Sequence, residues 1–298
     1  MTAQATKSTT FVARDAEKPR DWRFRLGRAG FWFLVIMVLV YTLFPFYWAI
    51  NLSLKTEDEI FAGTTYIPQQ PTTANYEAVL GSPDFIRSLG NSTVVAGTST
   101  LLALVVGAFA AYALGRMQFR GRSFMLYAVL AMTMFPQISV LSGIFTIVRE
   151  LELDGTAGAM ILTYPIITLP FTVWTLTSFF KGLPAELEQA ALVDGANTFQ
   201  TFYMILLPLT APALVTTGLL AFISAWNEYL FALTFTLVQP QARTVPVAIA
   251  LFTGVVQRQD PLPQIMAASI VVTIPLIVLV LIFQRRIVEG LTAGAVKG

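Results

Sequence analysis

Six apolar runs, each long enough to cross a lipid bilayer as a helix, constrain this chain more than any other feature. They occupy residues 31–54, 91–114, 124–148, 156–180, 209–235 and 264–283. A helix rises about 1.5 Å per residue, so about 20 apolar residues span the hydrocarbon core. In water these runs would need a polar coat that the chain does not carry. Only 12% of its 298 residues are charged and 55% are hydrophobic, whereas soluble domains carry about 25% charged residues. The fold expected is therefore all-α, with six transmembrane helices and lipid as solvent. Pro45, Pro136, Pro165, Pro170 and Pro275 fall inside the runs. They are read either as local kinks satisfied by neighbouring helices or as hinges between conformations.

Before the first run lies a polar arm, residues 1–30, and after the last a short tail, 284–298. The arm does not read as a secretory signal, because the apolar run after it is too long and no small-residue cleavage site follows. Of the 19 Lys and Arg residues, only Lys55, Arg87, Arg149, Arg243 and Arg258 fall in the first, third and fifth connections. The rest lie in the arm, the tail and the other connections. The positive-inside rule then puts both termini in the cytoplasm. Two long connections, 55–90 and 236–263, face the other side and are the loops expected to do something. Lys55, ending the first run, is expected to snorkel. Met132, Met134 and Phe135 are expected to pack in the core. Ala103, Gly107 and Ala111 form a small-residue stripe suited to close helix contact.

The chemistry available is narrow. There is no Cys and no His, which removes disulfides, most metal sites and the commonest general base. No Gly-x-x-x-x-Gly-Lys-Ser/Thr phosphate loop occurs, so the chain is not expected to hydrolyse ATP. A net charge of +2 argues against nucleic acid as a partner. No catalytic residue, metal or cofactor is expected on this chain. The halves show no convincing repeat, which weakens an inverted-repeat secondary transporter.

The informative segment is 181–208, between the fourth and fifth runs. It reads as helix, turn, helix. Pro184 suits a first helical position. Leu187, Ala190 and Ala191 share a face, Gly195 can end the helix left-handed, and Asn197 or Thr198 can cap the next. The small Ala190–Ala191–Gly195 face, with acidic Glu186, Glu188 and Asp194 around it, suits insertion into a cleft on a soluble partner. The alternative, a helix lying on lipid, should be rich in Lys, Arg and large apolar residues.

These residues resemble the coupling (EAA) loop of binding-protein-dependent ABC importer permeases. Ala190, Ala191, Gly195, Ile205, Leu207 and Pro208 match the family pattern, and Asp194 fits its Asp-Gly form. The family's Glu falls on Gln189, so an ion pair to the ATPase is lost there, with Glu186 or Glu188 as candidate substitutes. Asn91-Ser92, residues 110–116, Met134-Phe-Pro136, Trp226-Asn-Glu228 and the tail from Gly290 extend the resemblance, most closely to the second permease of the maltose and trehalose type. The resemblance implies the type I importer fold and a non-catalytic subunit of an ATP-driven sugar importer in the bacterial cytoplasmic membrane. It implies as partners a second permease, two ATPase subunits that hold ATP and Mg, and a lipid-anchored extracytoplasmic sugar-binding protein. It implies ATPase coupling through Glu186, Glu188, Gln189, Ala190, Ala191, Asp194, Gly195, Leu207 and Pro208. Loop 236–263 corresponds to a segment that enters the binding protein's cleft, and the tail to one that touches the ATPase interface. A stand-alone secondary transporter or channel is the alternative.

Glu228 is the one acidic residue inside a run, and burying it in lipid is costly. Beside Trp226, Asn227 and Tyr229 it suits a sugar path or gate; packing near an interface is the other reading. Gln137, Tyr164 and Trp174 are further path candidates.

Overall fold

The computed structural model describes residues 22–252 and 261–295, with side-chain environments given for 27–252 and 261–285. Most of the N-terminal arm, the distal part of loop 236–263 and the end of the tail lie outside these residues. The chain divides into two compact units, Met1–Trp48 and Ala49–Gly298. Of the first, the described part is residues 22–48 of helix α1 (Trp22–Ser53), whose last residues belong to the second. Its large side chains, among them Phe31, Phe33, Met37 and Tyr41, are exposed, which only an apolar surrounding tolerates.

The second unit is helical, with no strand among the described residues. After two short helices, α2 (Glu57–Ala62) and α3 (Ala74–Leu80), comes α4 (Pro83–Arg116), a 34-residue helix. The third run is not one helix. It holds α5 (Arg122–Met132) and α6 (Gln137–Glu150), bent by 96°. Pro136 stands at the break in extended conformation, where its ring removes a donor and blocks helix continuation. Met132, Met134 and Phe135, expected in the core, are turned outward by the bend and are exposed. Then follow α7 (Ala157–Gly182) and α8 (Glu186–Val193). Next come α9 (Thr198–Gln200), a π-helical stretch (Thr201–Leu206) and α10 (Leu207–Leu209), which run together and meet α11 (Ala211–Trp226) at 75°. The fifth run is broken a second time before α12 (Leu230–Thr236). The last elements are α13 (Val245–Ala250) and α14 (Leu262–Ala295). Four helices are long and apolar enough to span a membrane, and two bent pairs bring the crossings to six if each pair is one span.

α4 and α7 form the spine of this unit. Ala103, Gly107 and Ala111 are buried on α4. A Cβ on Gly107 would lie 2.6 Å from Thr172 Cγ2, and one on Gly115 3.0 Å from Phe180 Cβ. The first is closer than real Cβ atoms come and the second is tighter than most, so the glycine at position 107 sets the approach of the two helices. Gly218 on α11 likewise meets Leu104 of α4 at 2.8 Å.

The 49–82 segment is folded. Lys55 does not snorkel: it is 2% exposed and its Nζ donates to the Thr65 carbonyl. Asn75 Nδ2 donates to the Ser53 and Lys55 carbonyls at 2.9 and 2.8 Å. These bonds give the ammonium and the turn backbone partners that compete with water, so the lysine folds inward. Glu59 accepts from Thr65 Oγ1 and the Gln69 amide, both at 2.9 Å. The Gln69 amide bond foremost, then Thr65 and Gln70, hold its carboxyl below the ordinary value of 4.5 against a smaller opposing effect of burial.

Candidate functional site

Two groups of residues stand out, one beyond the ends of α4 and α7 and one inside the bundle. The first is built around α8. Glu186 is its first residue, two positions later than Pro184 suggests. Leu187 and Ala191 face the chain itself: Leu187 packs against the cluster of Ala111, Leu176, Phe180, Phe202 and Leu206, and Ala191 is 2% exposed. Ala190 does not share that burial. Glu186, Gln189, Ala190, Asp194 and Gly195 are all exposed. The small residues expected on one open face are therefore split between an anchored face and a free one. α8 ends in a Schellman motif: the Gly195 amide donates to Leu192 O at 3.1 Å and the Ala196 amide to Ala191 O at 2.9 Å. Gly195 takes φ +80°, the left-handed geometry that favours glycine. Asn197 then caps α9 in a full capping box, with Gln200 Oε1 accepting from the Asn197 amide at 2.8 Å and Asn197 Oδ1 from the Gln200 amide at 2.9 Å.

Of the acidic residues around the small face, Glu188 pairs within the chain. Arg116, the last residue of α4, donates to Glu188 Oε2 from Nη2 at 2.7 Å and from Nε at 3.1 Å. The same guanidinium donates to Leu183 O at 2.8 Å, Pro184 O at 3.3 Å and Phe180 O at 3.5 Å. Behind α9, Phe202 lies 5.0 Å from both Phe109 and Tyr112 of α4, centroid to centroid. The π-helical stretch that presents Phe202 closes with the Leu207 amide donating to Phe202 O. Leu207 is half-buried and Pro208 exposed.

The second group lines a cavity of about 280 Å³ between α6, α7, α11 and α12. Gln137, Tyr164, Asn227, Glu228 and Tyr229 all border it, so five of the seven path candidates converge. Glu228 is 8% exposed. Its Oε1 accepts from the Phe231 amide at 2.8 Å and Oε2 from the Ala232 amide at 3.0 Å. The carboxylate thus caps α12 at the break in the fifth run, satisfying amide groups that lipid could not. Trp174 borders an adjoining, more apolar cavity of about 650 Å³ that shares Gln137 and Ile167 with the first. Trp226 is 2% exposed and stacks 5.6 Å from Phe222 in the core, off the cavity wall. Among the described residues no cluster of acidic groups could hold a metal.

At the opposite end of α4 from Arg116, Asn91 Nδ2 donates to the Gln241 and Arg243 carbonyls, both at 2.9 Å, and Ser92 Oγ accepts from the Val245 amide at 2.8 Å. Nothing in the local sequence signals either pairing, since each joins residues about 150 positions apart.

Comparison with known proteins assigns the class. Residues 103–292 match the family described as binding-protein-dependent transport system inner membrane component, and the chain belongs to that family. It is 44% identical over 265 residues to the trehalose/maltose transport system permease protein MalG of Thermococcus litoralis, covering 88% of this chain and 94% of the relative. It is 44% identical to the trehalose transport system permease protein SugB of Mycobacterium tuberculosis over 272 residues, 91% and 98% of the two chains. Sulfoquinovosyl glycerol transport system permease protein SmoH of Agrobacterium fabrum is 40% identical over 263 residues, 88% of this chain and 91% of the relative. In fold, the chain is similar to a bacterial ABC transporter involved in the import of the acidic polysaccharide alginate. That match has a TM-score of 0.74 at 22% identity over 90% of this chain and 98% of that one. The protein is thus an all-α integral membrane component of a binding-protein-dependent transport system.

Proposed function

We propose that this chain is a permease subunit of an ATP-driven importer that passes a di- or oligosaccharide, trehalose or maltose foremost, into the cytoplasm. One observation carries the reading: α8 is anchored to the bundle on its Leu187–Ala191 side and open on its Gln189–Ala190 side. A helix held from behind and free in front can receive a push from a soluble partner, which an ATPase closing on ATP supplies. Both termini then lie in the cytoplasm, with a second permease and two ATPase subunits completing the assembly and a sugar-binding protein delivering from the other side. The names of the 44% identical relatives support the sugar class. The cavity of Gln137, Tyr164, Asn227 and Tyr229 offers the aromatic faces and amide groups that carbohydrate favours. The stand-alone carrier gains no support, because it needs coupling carboxylates or a charged pore ring, and Glu228 is the one acidic residue inside the apolar runs.

The deciding experiment places Trp at Ala190 in the importer reconstituted in proteoliposomes. Ala190 is exposed, so Ala190→Trp leaves the bundle's Tm unchanged while ATP-driven uptake of labelled trehalose is lost. Uptake at the unsubstituted rate would overturn the reading. Ala191, being buried, is no substitute: a bulky side chain there would disrupt the chain's own packing.

A further inference from the structure

We propose that Arg116 is a positioning residue that makes α8 move as one body with α4 and α7, and so sets how much substrate crosses per ATP consumed. The inference rests on the importer reading above and assigns a role to a residue that reading leaves out. One guanidinium, its side chain 9% exposed, joins three elements. It belongs to the end of α4, takes the carbonyls of Phe180 and Leu183 at the end of α7, and holds Glu188 in α8 by two bonds. The last carbonyls of a helix lack partners within it, and a cation there also meets the negative end of the helix dipole. The planar fork of Arg serves a carboxylate and carbonyls at once; the point charge of Lys does not.

The need for such a clasp follows from the chain. α8 has only eight residues, too few to be a stable helix alone. Residues 183–185, between α7 and α8, are not helical. Apart from Leu187 and Ala191, α8 has little apolar surface turned inward. Without the ion pair, a push on its open face would be absorbed by bending at 183–185. Successive helix residues point about 100° apart, so Glu188 faces the bundle while Gln189 faces out. The two adjacent positions thus divide the work: one grips the membrane helices, the other meets the partner.

The test is the ratio of labelled trehalose taken up to ATP hydrolysed, measured on the complete importer in proteoliposomes. Arg116→Ala and Glu188→Ala are expected to lower that ratio about tenfold, the scale of one lost charge-assisted contact, while ATP hydrolysis continues. Arg116→Lys should fall between. If the alanine variants do not assemble, Glu188→Gln, which keeps one oxygen for the guanidinium, carries the test with a partial loss. The chain has no Cys, so the Arg116→Cys/Glu188→Cys pair closed by a short bis-thiosulfonate linker should regain coupling that the open pair lacks. An unchanged ratio in the assembled variants, or no recovery on linking, overturns the proposal. A native complex whose uptake ignores ATP overturns instead the importer reading beneath it.

Discussion

Single side chains with two partners organise the site, and each makes a defined prediction. Glu228 satisfies the amides of Phe231 and Ala232 inside the bundle. Glu228→Ala orphans both, at about 1–3 kcal/mol for each unsatisfied buried group, so Tm should fall and uptake with it. Glu228→Gln, with one acceptor oxygen, should lie between in a thermal melt of the detergent-solubilised protein. Glu59 gives a pH dependence. Its carboxyl is held below 4.5 by the Gln69 amide first of all, so the bonds that order residues 65–70 favour folding above 4.5. That contribution is lost as pH falls through the lowered folded value. Hydrogen exchange at the Gln69 and Gln70 amides, corrected for intrinsic rate, should therefore speed up on acidification. In Glu59→Gln it should be insensitive to pH over that window.

Elements follow from the apolar runs, but their breaks do not. A 20-residue hydropathy window smooths over Thr133–Pro136 and Asn227–Tyr229, where the helices stop. Pro136 is a visible signal for the first. The second contains no Pro or Gly, and the break is stabilised by the Glu228 carboxylate, for which the sequence leaves open both a sugar path or gate and packing near an interface. Gly195 and Asn197 were legible because caps and left-handed glycines are local. The inward turn of Lys55 is not legible, because its Thr65 acceptor lies in a loop whose folding sequence alone does not disclose. Close helix approach was legible at Gly107, and it can be tested. Gly107→Val must push α4 from Thr172, where even a first carbon would sit at 2.6 Å. Overpacking costs about 1–3 kcal/mol, so the Tm of the solubilised protein should drop, with Gly97→Val as control, since Gly97 has open space around it.

At the scale of the whole described chain, class was legible and long-range wiring was not. Charge scarcity and run length give an all-helical membrane protein, and segment 181–208 resembles a coupling loop. Arg116 and Glu188, 72 positions apart, could be joined only by folding. So could Asn91 and Ser92 with residues 241–245. Taken together, those pairings give α4 a tether at each end, with about 38 Å of helix between Asn91 and Arg116 at 1.5 Å per residue. A stiff rod fastened at two points so far apart cannot tilt without dragging what is tied to each. A displacement imposed on α8 would thus arrive at the 241–245 segment by way of a single element, like a rocker arm working two valves.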